Sequence, residues 1–86
     1  MILIHYKPTF LRQYNNLEPQ LQEEVTEKIK LFKNPKNHKR LKVHKLKGHL
    51  SGRYSFSVNY KMCIVFFYLS KKEAILLVLG DHDIYK

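Results

Sequence analysis

Residues 54–80 read YSFSVNYKMCIVFFYLSKKEAILLVLG, and this stretch decides the fold. Tyr54, Phe56, Val58 and Tyr60 alternate with Ser55, Ser57 and Asn59, the period of an antiparallel strand with one buried face. Met62 to Leu69 (MCIVFFYL) is nearly continuously apolar, which predicts a central strand. Ser70-Lys71-Lys72-Glu73 turns the chain into Ala74 to Leu79, a third strand, and Gly80 ends it. Three strands joined by short turns form a meander that must bury its apolar face against something else.

The cover lies upstream. Ile2 to Tyr6 (ILIHY) is a short β-branched run stopped by Pro8, and it suits a strand. Thr9 is placed to cap a short helix with Phe10, Leu11, Tyr14 and Leu17 on one face, ended by Asn15-Asn16. A second helix follows, with Pro19 in its first turn and Leu21, Val25, Ile29 and Phe32 at spacings of four, four and three. Its glutamates come early and its lysines late, matching the helix dipole, and Asn34-Pro35 stops it. Residues 36–53 lack clear periodicity and read as a loop with a short edge strand around Leu41 to Leu46, punctuated by Gly48 and Gly52. The order is β-α-α-β-β-β. It predicts an α+β fold in one domain over residues 1–86, with two N-terminal helices packed on a twisted antiparallel sheet.

Charge is segregated along this chain of 86 residues and net charge +9. Ten of the sixteen Lys and Arg lie in KIKLFKNPKNHKRLKVHKLKGHLSGR, from Lys28 to Arg53. No acidic residue occurs between Lys28 and Lys72, whereas four glutamates cluster in Glu18 to Glu27. Such segregation is the footprint of a polyanion-binding face, although a solvated lysine-rich loop has the same composition. His38, His44 and His49 in the same stretch add groups that titrate near neutrality and can move protons at a phosphodiester. Cys63 is the single cysteine, so an internal disulfide is excluded and a cysteine-based metal site is disfavoured. No apolar run approaches the ~20 residues of a membrane span, and MILIHYK is too short for a signal peptide. The expectation is a cytoplasmic protein without a cofactor.

The segment HKLKGHLSGRYSFSV (44–58), with Leu-Ser-Gly at 50 to 52, resembles the loop-to-strand segment of YoeB-like and YafQ-like members of the RelE/ParE toxin superfamily. NYKMCIVFFYL (59–69) is similar to their central strand, and LGDHDIYK (79–86) to an ending in which a hydrophobic strand runs into Gly-x-His and then an aromatic residue. The resemblance implies a RelE-like microbial RNase fold. It also implies the toxin of a type II toxin–antitoxin module, cleaving mRNA on the ribosome and held by a cognate antitoxin in a hetero-oligomer.

In that chemistry the 2′-hydroxyl attacks the adjacent phosphorus, so a base, an acid and positive charge at the phosphate are required. The resemblance implies His44 as general base, His82 as general acid and Tyr85 as the aromatic that meets the nucleotide. Lys42, Lys45, Lys47, His49 and Arg53 would hold RNA. Two family basic positions fall on Ser57 and Cys63, and Lys61, two residues from Cys63, is the candidate to replace the missing charge. That loss of charge supports two other readings, a ParE-like inhibitor of DNA gyrase and a catalytically weakened RNA-binding homologue. His5 and Cys63 read as structural residues, and His38 as a solvated loop histidine.

Overall fold

The computed structural model describes residues 1–81. Seven regular elements follow in the order β1 (Leu3–Tyr6), α1 (Pro8–Asn15), α2 (Pro19–Phe32), β2 (His44–Lys45), β3 (Tyr54–Ser57), β4 (Met62–Ser70) and β5 (Glu73–Asp81). Short 3₁₀ turns occupy Pro35–Asn37 and Gly48–Leu50. The α+β class and the two-helix cover are as the sequence implies, and among the described residues no helix is long and apolar enough to cross a membrane.

Both helices begin on proline at N1, where the missing N–H is one that a helix start leaves unpaired anyway. The cap of α1 is therefore Lys7, in extended conformation, and not Thr9. Thr9 sits inside the first turn, its hydroxyl 3.5 Å from an Arg12 guanidinium nitrogen. Helix α2 buries Val25, Ile29 and Phe32, and α1 buries Phe10. The centre of the core is aromatic. The Phe32 ring stacks on Phe56 at 4.5 Å and meets Phe66 edge-on at 4.7 Å, joining α2 to β3 and β4.

The sheet order is β1-β5-β4-β3-β2. It is antiparallel throughout except at one edge, where β1 runs parallel to β5 with Leu3 opposite Glu73 and Tyr6 opposite Leu76. The sheet is thus mixed rather than purely antiparallel. Parallel pairing requires a long crossover, and α1 and α2 are part of it. Backbone bonds from Leu3 N–H to the Lys72 carbonyl (2.7 Å) and from Lys7 N–H to Leu76 (2.9 Å) bracket the pair. The edge strand expected over Leu41 to Leu46 is only His44–Lys45. Lys42 adopts the left-handed conformation (φ 58°), which interrupts extended backbone on that side.

Helices cover the face that carries Phe56, Ile64, Phe66, Ala74, Leu76 and Leu79. Strand alternation puts Ser55, Ser57, Cys63, Val65 and Val78 on the other face. The register shift between Val65 and Phe66 skips Leu77, so the alternation of β5 changes phase there.

Candidate nucleic-acid interface

A row of paired residues crosses the sheet face opposite the helices, His44 opposite Ser55, Ser55 opposite Val65, and Val65 opposite Val78; Ser55 and Val65 are buried and His44 is exposed. Two hollows flank it. One, of about 410 Å³, is lined by Lys42, His44, Ser57, Asn59 and Tyr60. The other, of about 380 Å³, has Leu50, Val65, Leu77 and Val78 as its apolar part and Lys7 and Arg53 as its cations. Lys7 and Arg53 come together only because β1 joins the same sheet. A third hollow, of about 270 Å³, lies between α1 and α2 among Tyr6, Phe10, Leu11 and Tyr14, away from this face.

His44 is exposed on the edge strand, and its Nδ1 lies 2.8 Å from the Lys42 carbonyl oxygen. A carbonyl can only accept, so in the neutral ring Nδ1 carries the proton and Nε2 carries the lone pair. The left-handed backbone at Lys42 helps bring that carbonyl within reach. The local chain thus favours one tautomer of the neutral ring.

Cys63 faces Ser57 on β3 and Gly80 on β5. It is 1% exposed, and its Sγ lies 3.9 Å from the Asp81 carbonyl oxygen. Burial pushes the thiol pKa up and the Asp81 charge adds to the rise, while the nearby Ser55 hydroxyl acts the other way. The Ser55–Cys63 contact falls short of hydrogen-bond geometry, and the buried Ser55 Oγ has no partner among the described residues. The floor at this point is neutral.

The other predicted site residues divide. Lys42 and His44 share one hollow, and Arg53 lines the other. Lys45 pairs with Tyr54, whose ring packs against the core, so alternation sends Lys45 to the opposite side of the sheet from His44. Lys47 is exposed at the start of the Gly48–Leu50 turn. Lys61 does not lie on a strand. It belongs to the β3–β4 turn, its N–H donating to Asn59 Oδ1 at 2.9 Å and its Nζ 5.7 Å from the Tyr60 ring centroid. Alternation from Cys63 therefore says nothing about its face. His82 and Tyr85, and the side chain of His49, lie outside the described residues.

Two remaining histidines have structural contacts. His5 lies 3.8 Å from Glu73 across the parallel pair. His38 is half-buried rather than solvated, stacked on Phe32 at 4.7 Å with Nε2 2.8 Å from the Phe32 carbonyl oxygen. Lys7, Asn59 and Tyr60 were not flagged by sequence reasoning. The alternation from Tyr54 places Tyr60 on the buried face of a strand, but β3 ends at Ser57 and Tyr60 is exposed in the turn that follows.

Similar solved structures include the toxin–antitoxin complex RelBE2 from Mycobacterium tuberculosis, at TM-score 0.74 and 14% identity, covering 94% of this chain and 98% of that one. The YoeB/ParE toxin from Agrobacterium tumefaciens matches at TM-score 0.67 and 17% identity over 95% and 99% of the two chains. The conserved hypothetical protein HP0894 from Helicobacter pylori matches at TM-score 0.69 and 23% identity, over 96% and 97%. The chain has the RelE/YoeB toxin fold. No protein-family model matches the sequence, and neither does a curated protein. At these identities the likeness is one of fold, and in the toxin fold of this chain the sheet face opposite the helices bears both hollows described above.

Proposed function

We propose that the chain is the toxin of a type II toxin–antitoxin module and acts as an mRNA endoribonuclease on the ribosome. The observation that carries this reading is His44, held in one tautomer by the Lys42 carbonyl at 2.8 Å beside a basic hollow on the sheet face opposite the helices. His44 Nε2 takes the proton of a 2′-hydroxyl, whose oxygen attacks the adjacent phosphorus. His82, directly after β5, protonates the departing 5′-oxygen, leaving a 2′,3′-cyclic phosphate and a 5′-hydroxyl. Arg53 and Lys7 neutralise flanking phosphates, and Tyr85 meets the nucleotide. The net charge of +9 supports both ribosome association and an acidic partner, and the similar RelBE2 structure is a toxin–antitoxin complex.

One observation favours a second reading. Cys63 is buried and neutral where a nuclease of this kind places positive charge, which suits a ParE-like inhibitor of DNA gyrase. Brief expression in a bacterial host, with 5′-end mapping of mRNA and gel analysis of plasmid supercoiling, separates the two. Cuts within coding regions at unchanged supercoiling support the nuclease. Altered supercoiling with intact mRNA overturns it.

A further inference from the structure

Tyr60 is 85% exposed, although an aromatic side chain contributes most when buried. The turn beneath it is firmly held. Asn59 Oδ1 accepts from the N–H groups of Lys61 (2.9 Å) and Met62 (2.8 Å). The Val58 N–H donates to the Met62 carbonyl at 2.9 Å, closing the hairpin. Asn59 Nδ2 donates to Glu24 on α2 at 3.3 Å, which ties the turn to the helical layer and engages that carboxylate. A rigid mount for a solvent-facing ring loses little entropy when a flat ligand stacks on it.

The ring also stands at the rim of the hollow that holds Lys42, His44 and Ser57. Lys61 Nζ lies over one face of the ring, 5.7 Å from its centroid, which adds a second cation and leaves the other face for a base. A π face, two lysines and the Ser57 hydroxyl match the parts of one nucleotide, namely base, phosphate and a polar edge.

We infer that Tyr60 is a stacking platform for one base of single-stranded RNA, next to the phosphate addressed by His44. The inference rests on the RNA-cleaving reading above and adds to it a base subsite in the β3–β4 turn. It gives the site a grip on the base as well as on the backbone.

The chain contains no tryptophan, so Tyr60→Trp introduces a single fluorescent reporter at an exposed position. A short fluorescein-labelled single-stranded RNA is titrated against the full chain, and anisotropy is read beside tryptophan emission. Emission should be quenched in step with the rise in anisotropy. Tyr60→Ala should weaken RNA binding about 5- to 150-fold, the range for one lost stacked base, and Tyr60→Phe should bind like the unmodified chain. An abasic oligonucleotide of equal length should bind the unmodified chain and Tyr60→Ala alike. RNA binding without quenching, or unchanged affinity in Tyr60→Ala, overturns the stacking platform and leaves the RNA-cleaving reading standing. No RNA binding by the unmodified chain at low salt overturns that reading, and the platform with it.

Discussion

The side-chain oxygen of Gln13 accepts the Leu79 backbone N–H at 2.7 Å. This bond links α1 to β5 just after the irregular step at Leu77, and β5 then runs on to face Cys63 and Met62. Leu79 is almost fully buried, so its N–H depends largely on this acceptor.

Replacing Gln13 by Ala should therefore cost about 1–3 kcal/mol, the penalty of a buried donor left unpaired. Gln13→Glu keeps an acceptor oxygen at the same reach and should retain more of the stability. Urea unfolding of the three proteins checks this. Equal midpoints for Gln13→Ala and the unmodified chain would show that the bond adds no net stability.

His44→Ala should remove cleavage while leaving the melting temperature within a degree or two, because the ring is exposed and opens no core cavity. His82→Ala is expected to do the same. Single-turnover cleavage of mRNA on programmed ribosomes, with thermal melts alongside, is the measurement. Cleavage by His44→Ala at the unmodified rate would remove it as the base.

Cys63→Arg should have opposite effects on rate and stability. A guanidinium over the scissile phosphate contributes about 100- to 1,000-fold in rate where such donors have been removed and measured. Cys63 is buried, so the fold should lose stability unless the arginine reaches solvent across Gly80, which offers no side chain opposite it. A folded variant that cuts no faster would mean that the phosphate does not pass over position 63.

Alkaline pH should weaken the fold. Burial raises the pKa of Cys63 above 9.0, and those of Tyr6 and Tyr68 above 10.0. Each group holds its proton more tightly in the folded state, so above those values the folded state binds more protons than the unfolded one. Stability then falls as pH rises, beginning near 9.0 for the thiol. Cys63→Ala should remove the part of the decline that starts there and leave the tyrosine part. Denaturant midpoints between pH 8 and pH 11 read it, and an unchanged slope in Cys63→Ala would mean that the thiol does not contribute.

The layers of this fold were legible where the residue pattern is dictated by burial. The apolar run from Met62 has one structural solution, and α2 shows its face at Val25, Ile29 and Phe32; the alternation from Tyr54 holds only as far as Val58, because the turn at Asn59 leaves Tyr60 exposed. The parallel pairing of β1 was not legible, because four apolar residues state a strand and not its neighbour. The brevity of β2 follows from one left-handed residue, Lys42, whose side chain gives no hint of it. His38 looked solvated in a lysine-rich run until its ring was seen stacked on Phe32. At the site, residue types could nominate His44, but the carbonyl that orients it belongs to its neighbour's backbone. Lys7 and Arg53 are far apart in sequence, and only the sheet brings them together.

The position of β5 between β1 and β4 has a consequence for the order in which the molecule is made. A ribosome delivers this strand after every other described element, yet β1 has no partner in the sheet without it, and one side of β4 stays bare. Leu77 and Val78, which line the Arg53 hollow, also arrive with it. A nascent chain stalled before residue 73 thus has two helices and a hairpin, but neither a closed core nor a complete Arg53 hollow. If the chain does cut message on ribosomes, the one translating it is spared until β5 has emerged and docked.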